Sequence, residues 1–477
     1  MKMPQPPRPR SVAIVGTGMA GLTTAHLLHR DPESRYEVTL LEKQDKISLA
    51  AESIAIPSRD EKNQQVWADV PMRAFAGGFY HNLIRMYDYL EVAYNAQPFL
   101  FSFTRLPRHQ EPPSIPSCIP SPQMVYASNF HQFPPAPRTA DLVRWAVEAV
   151  YAIVCYCWFT ICCFFIAPYE EDPKTGRLCE SLDEYLRRMW MPRHYVTNYL
   201  VPLISSVCTC SHEELLCFPA SDVLAYKRRT HRQQHFVVSG GVQSVQEKLL
   251  KGINVRLGAQ ITHVAPDKTG VQIKYSTPDG DTTEKFDLVI LAVSPDIAAA
   301  LYPSLSSQLS TIPTTTVETI AHTDESLITP MLRATSSDPA SDKELAVGHV
   351  VHATQRIHLF SDGHITEAVH EQPNSILVTT NPIFPPEKSK VIRSAHFTRV
   401  LRSPRSRAVI NAVFKDRKYD PALAKSASPF PWRNGDHGVF LAGGWCWDGM
   451  VLLEGCIVSA MRVANALGVE VPWDEEA

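Results

Sequence analysis

An excess of charge of either sign is the first thing this sequence lacks. Its 477 residues carry a net charge of -3, mixed along the chain, which leaves no electrostatic footprint for nucleic acid. Metal ligands at paired spacing are missing as well. Cys155, Cys157, Cys162 and Cys163 fall inside an apolar run, Cys208 and Cys210 follow Val207, and none is matched to histidines at zinc spacing. The expectation is therefore no metal site. Eleven cysteines are an odd number, so at least one stands outside any intramolecular disulfide, and the set reads as reduced thiols acting as small apolar side chains. There is no G-x-S-x-G, no H-E-x-x-H and no paired-carboxylate signature, so no hydrolytic machinery is indicated. "MKMPQPPRPR" at the start has no apolar h-region, and "EVPWDEEA" at the end has no retention or lipidation signal. The expected location is intracellular, in the cytoplasm or on the cytoplasmic face of a membrane.

What is present begins with composition. Hydrophobic residues at 44% and charged residues at 20% describe a folded chain, and its length favours two or more domains. "SVAIVGTGMAGLTTAHLL" opens with an apolar run, Val12 to Val15, suited to a buried parallel strand. Gly16, Gly18 and Gly21 complete a G-x-G-x-x-G turn, apolar residues at helical spacing come next, and a second apolar strand, "YEVTLLE", ends on Glu42. Each part has a mechanical reason. Gly16 permits the tight turn, Gly18 lets a pyrophosphate approach the backbone, and Gly21 allows close helix–strand packing. The helix N-terminus offers unpaired N–H groups to the phosphates, and Glu42 offers acceptors to a ribose hydroxyl. Strand, glycines, helix, strand and acid in this order indicate dinucleotide binding.

"HGVFLAGGWCWDGMVLLEGCIVSAMRVANALG", His437 to Gly468, reads as a strand, a Gly443-Gly444 turn, a loop, and a helix with Glu454-Gly455 near its start. This resembles the C-terminal flavin-binding segment of the FAD-dependent amine-oxidase-like superfamily. "WADVPMRAFAGGFYHNLIRMYDYLEV", "SLDEYLRRMWMPRHYVTNYLVPLISSV", "HFVVSGGVQSVQEKL" and "NVRLGAQITHV" resemble further parts of the same family, and the resemblance covers most of the chain. It implies an α/β fold in which a Rossmann-like FAD-binding domain is interleaved with an α+β substrate domain. The FAD-binding domain would be discontinuous, at 1–94, 235–301 and 433–477, with the substrate domain at 95–234 and 302–432. FAD is the cofactor implied, bound by Gly16, Gly18, Gly21, Glu42, Ile261 (through its backbone), Gly443, Gly444 and Glu454. A helix-capping role competes with binding at Glu454.

The sequence departs from the family at "KISLAAES", where Ser48 and Leu49 stand in place of a paired glycine beside the flavin. Arg73 is a candidate to take over some of those contacts. Catalytic candidates are weak: Arg73, against a surface salt bridge, and Trp445, against simple packing. Trp447 and Cys446 share the Trp445 neighbourhood, and Cys446 is the one residue placed for a covalent flavin link. His322 and Asp324 read as structural. The implied activity is hydride transfer from a lipophilic small molecule, as desaturation or double-bond isomerisation, with amine oxidation as the alternative. A reading of another class, a non-catalytic flavoprotein acting as a membrane-surface partner, is motivated by the missing glycine pair.

"AVYAIVCYCWFTICCFFIAP", Ala149 to Pro168, has no charged side chain and is long enough to span a bilayer. A single crossing there would put the two ends of one sheet on opposite sides of the membrane. Two expectations survive: a helix buried all round in the substrate domain, or a peripheral, monotopic patch in one leaflet. The proline-rich 106–141 reads as an extended excursion, and "TSSDPASDKE", 335–344, as a polar loop.

Overall fold

The computed structural model describes residues 8–57, 65–106, 124–127, 142–172, 175–328, 354–372, 375–414 and 432–474. The proline-rich excursion, apart from a strand at Met124–Ala127, and the polar loop at 335–344 lie outside the described residues.

Five short strands form the parallel sheet that anchors the dinucleotide motif. They are β1 (Arg10–Val15), β2 (Tyr36–Leu41), β3 (Asn254–Arg256), β4 (Leu288–Leu291) and β5 (Val439–Leu441), in the order β3-β2-β1-β4-β5. Val12 pairs with Val38 on one side and Leu288 on the other, and Val289 pairs with Val439. Central strands covered on both faces are apolar throughout, as Val12, Ala13 and Ile14 are, all fully buried. The sheet thus draws strands from three separated stretches of chain, so it is complete only when the last of them, β5, arrives.

Six helices border the site or the apolar run: α1 (Met19–His29), α2 (His81–Tyr89), α3 (Leu142–Phe165), α4 (Leu182–Arg188), α5 (Ala220–Thr230) and α6 (Leu453–Ala466). Helix α1 packs directly on α6, which ties the first turn of the fold to its last helix. Its residues from Met19 to Leu28 are all buried, so its face toward the sheet and its face toward α6 are both covered.

A seven-stranded sheet forms the second layer. Its order is Val391–Val400, Thr314–His322, Ile376–Thr380, Thr366–Gln372, Gln355–Ser361, Phe99–Arg105 and Met124–Ala127. The pairing is antiparallel except between Gln355–Ser361 and Phe99–Arg105. A small sheet joins the layers: His235–Val238 pairs with both Ala74–Ala76 and Tyr94–Ala96. The ten cysteines among the described residues are free, and seven are buried, as apolar fillers would be.

Helix α3 is not buried all round, which corrects one of the two expectations for the apolar run. Ala152, Cys155, Phe159, Cys162 and Cys163 form its covered face. Val143 and Phe165 on the other side are 72% and 83% exposed. The cause is one-sided packing. α5 covers one face, the Tyr185 hydroxyl of α4 lies 2.9 and 2.8 Å from the Cys162 and Ile166 carbonyls, and the Met124–Ala127 strand also touches the helix, while the outer positions from Val143 to Phe165 stay exposed.

Candidate dinucleotide site

The site is assembled around the turn between β1 and α1. Gly16 has φ of +99°, and a β-carbon there would lie 2.6 Å from the Ala292 carbonyl oxygen. Gly21 is closed in the same way, since its β-carbon would run into the Gly16 carbonyl. Gly18 differs from both: a β-carbon at Gly18 meets nothing within 4 Å. The turn is therefore packed on two glycines and open on the third. Helix α1 begins at Gly18 with no side-chain cap, leaving its first N–H groups for a ligand.

Glu42, just past β2, is buried with its carboxylate turned onto this turn. It accepts from Thr17 N at 3.1 Å, from the Thr17 hydroxyl at 2.5 Å, and from Gln44 N at 3.1 Å. An ionised carboxylate has about four acceptor positions, so three donors leave one for a ribose hydroxyl. The following chain is held against the strand that leads to Ile261: Ala259 N donates to the Glu42 carbonyl and Gly258 N to that of Gln44, each at 2.8 Å. This brings Ile261, half-buried at the start of the Gln260–Asp267 strand, to the same edge as Glu42. An open glycine, an uncapped helix start and a buried acid with a vacant acceptor position fit the adenosine diphosphate half of a dinucleotide.

The Ser48-Leu49 departure has a structural solution. Ser48 N donates to Thr17 Oγ1 at 2.9 Å, and the two hydroxyls lie 3.1 Å apart. Arg73 Nη2 donates to the Leu49 carbonyl at 2.8 Å, and Ala50 N donates to Gln246 Oε1 at 3.0 Å. Leu49 itself is buried. Side chains from three distant stretches thus hold this loop over the glycine turn. Arg73 makes no surface salt bridge among the described residues. It lines a cleft with Trp67, Met72, Gln97, Gln355 and Gln372, where the seven-stranded sheet meets the small one.

Glu454 does not face the glycine turn. Its carboxylate accepts from Asn82 N (3.0 Å), Asn82 Nδ2 (2.7 Å) and Leu83 N (3.1 Å), which caps the start of α2. Burial raises its pKa, opposed by those three donors. Trp445 is a core residue: its indole donates to the Val293 carbonyl at 3.0 Å and its ring meets Phe414 edge-on. That removes it as a catalytic group, since it is sealed among side chains of the second core. Cys446 is fully buried, and burial pushes its thiol well above the ordinary range, so it is poorly prepared to form a covalent link. Gly443 and Gly444 lie in close contact with their neighbours. Gly443 N donates to Ser459 Oγ at 2.9 Å, and a β-carbon at Gly444 would lie 3.1 Å from the Leu452 carbonyl. His322 is hydrogen-bonded to Thr379 at 2.7 Å and receives the Asp324 N–H at 3.1 Å, a structural arrangement.

Sequence reasoning passed over Thr17, Gln246 and Arg402. Thr17 occupies a variable position of the motif, and nothing near Gln246 marks it. Arg402 is buried and donates to the carbonyls of Trp447 (2.7 Å) and Gly449 (3.0 Å), fixing the loop before α6. Its guanidinium is 3.7 Å from Asp222, whose other oxygen pairs with Arg407. Burial lowers the Arg402 pKa against the pull of Asp222, and burial raises that of Asp222 against its two arginines.

Residues 14–90 match the family model of the NAD(P)-binding Rossmann-like domain. No curated protein matches the chain in sequence. Two solved structures are similar over nearly their whole length. A putative protoporphyrinogen oxidase from Exiguobacterium sp. 255-15 is 14% identical, with TM-score 0.53, covering 97% of this chain and 99% of that one. A CLA-producing fatty acid isomerase from P. acnes is 11% identical, with TM-score 0.56, covering 96% and 98%. The chain shares its overall fold with these two structures. At these identities the likeness carries the fold and no more, and the expected α/β architecture around a Rossmann-like domain is met.

Proposed function

We propose that this protein is an FAD-dependent oxidoreductase acting on a lipophilic small molecule by hydride transfer, as a desaturase or double-bond isomerase. The observation that carries this reading is the turn that is packed at Gly16 and Gly21 but open at Gly18, with Glu42 buried beside it. When bound, a flavin supplies the hydride chemistry, and no protein nucleophile is required. This chain's residues bind and position. Gly18 and the first N–H groups of α1 would take the pyrophosphate, and Glu42 a ribose hydroxyl. Arg73 holds the Leu49 carbonyl, so the loop that would flank a bound flavin is set by a cation that also borders the cleft. The names of the two structural neighbours, one an oxidase of a porphyrinogen and one a fatty acid isomerase, support a lipophilic substrate. Free thiols support a reducing location, at the cytoplasmic side of a membrane.

The test is a visible absorption spectrum of the purified protein, repeated on the supernatant after acid precipitation. A flavin spectrum in the supernatant is expected, followed by bleaching with a lipophilic substrate under anaerobic conditions. A colourless, folded protein that binds no added FAD would refute the reading. Flavin that no candidate substrate reduces would favour a non-catalytic binding role.

A further inference from the structure

Helix α3 presents a face that the described residues leave exposed, and from Val150 to Phe165 the helix carries no charged side chain. Over 24 residues, about 36 Å at 1.5 Å per residue, the only ionisable side chains besides cysteine and tyrosine are Arg144 and Glu148. Glu148 turns inward, bonded to His194 at 2.8 Å and to the Tyr199 hydroxyl. Val143, Val147, Val150, Val154, Ile161 and Phe165 recur at helical spacing along the outer side and are 47–83% exposed. A face this long and apolar is far beyond the scattered exposed hydrophobics of an ordinary surface.

Its margins differ from its centre. Along one edge runs the end of α5 and the turn beyond it. Lys227 Nζ donates to the Tyr156 hydroxyl at 2.7 Å, Arg228 donates to the Cys163 carbonyl at 3.2 Å, and His231 meets the Phe164 ring edge-on. Arg228, Arg229 and Arg232 are exposed there. Along the other edge the Trp158 indole donates to the Met189 carbonyl at 3.0 Å, next to Trp190, which is 89% exposed, with exposed Arg193 three residues on. Glu170 and Glu171 fall beyond the helix end. An apolar centre between a cationic edge and an edge carrying exposed tryptophan matches the hydrocarbon, phosphate and headgroup levels of one anionic leaflet.

We propose that α3 is a monotopic anchor that lies in the plane of a bilayer containing anionic phospholipid, its Val143–Phe165 side in the acyl region and Arg228, Arg229 and Arg232 on the headgroups. The helix does not cross, because its other side is fastened to α4 and α5 through Cys155, Phe159 and Cys162. α5 in turn reaches the C-terminal segment through ring contacts from Tyr226 to Phe79 and from Phe79 to Trp447, so the anchor lies one helix from the proposed site. No residue of the dinucleotide site takes part in the anchor, so membrane binding stands or falls apart from the cofactor.

The experiment is vesicle flotation of the full chain, using phosphatidylcholine vesicles with and without phosphatidylserine, compared with Ile161→Ser/Phe165→Ser and Arg228→Gln/Arg229→Gln variants. The wild type is expected to float with phosphatidylserine vesicles. The serine variant should float roughly tenfold less or worse at an unchanged melting temperature, because both sites are exposed. The glutamine variant should lose roughly thirtyfold on phosphatidylserine vesicles and little on neutral ones. Wild-type protein that stays at the bottom with both vesicle types overturns the proposal, as does flotation unaffected by the serine substitutions. A dimer in ultracentrifugation that the serine substitutions dissociate would assign the face to a second copy and equally overturn it.

Discussion

Replacing Gly18 with alanine separates cofactor binding from folding. Gly18 has φ of −72° and ψ of 179°, backbone values open to any residue, and its β-carbon position is empty for 4 Å around. Alanine at a helix N-cap costs up to about 1 kcal/mol relative to glycine. Stiffening the unfolded chain returns about 0.4–1 kcal/mol. The difference is within about 0.6 kcal/mol, a melting shift of roughly 2 °C or less for a chain of this size. The same methyl stands where a pyrophosphate must meet the backbone, and overpacking of that kind costs about 1–3 kcal/mol. FAD affinity should therefore fall roughly five- to 150-fold while the fold is kept. Quenching of flavin fluorescence in a titration reads the first quantity, and circular dichroism melting reads the second. Gly21→Ala is the companion variant: its β-carbon meets the Gly16 carbonyl, so it should lose folded yield before any binding can be measured. An FAD affinity unchanged in Gly18→Ala, or a Gly18→Ala protein that melts as low as Gly21→Ala, would refute the reasoning.

Arg402→Met leaves Asp222 with only Arg407 and frees the Trp447 and Gly449 carbonyls; breaking a buried pair in this way costs about 3–5 kcal/mol, readable as a lowered urea midpoint. Arg73→Ala should keep the fold but release the Leu49 loop, seen as faster proteolysis near residue 49 and weaker flavin retention. Acid should destabilise the protein in a defined window. Burial pushes His26, His235, His322 and His370 down to about 4, so the unfolded chain takes up protons first; their stabilisation is complete above about pH 6.5 and is lost as pH falls toward 4. Glu367 works in the opposite sense, since burial pushes it up to about 7 and its neutral form is favoured at low pH. Asp222 and Glu454, which burial also raises, act in the same sense as Glu367, but the four histidines outnumber these three carboxyls, and a melting temperature that stays flat from pH 7 to pH 4 would contradict this assignment.

The dinucleotide turn was legible because its parts are consecutive: β1, three glycines, α1, β2 and Glu42 form one βαβ unit whose geometry depends on local spacing. The apolar run was legible for a similar reason, since length and the absence of charge are properties of the segment itself. Which side of that helix is covered is not. α5 and α4 lie about 20 to 80 residues further along the chain, and only their arrival buries Cys155 and Cys162 while leaving Val154 and Phe165 bare. The C-terminal candidates show the same limit. Glu454 and Trp445 sit in a segment whose resemblance was recognisable, yet their partners, Asn82 and Val293, lie 372 and 152 residues away. A carboxylate bonds to whichever donors the fold brings within reach, and spacing along the chain carries no record of them. By itself the sequence determined a Rossmann-like turn and an apolar helix. The tertiary structure decided that Glu454 caps α2, that Trp445 fills a core, and that Arg73 clamps the loop where the glycine pair is missing, because each of those contacts joins residues that only folding makes neighbours.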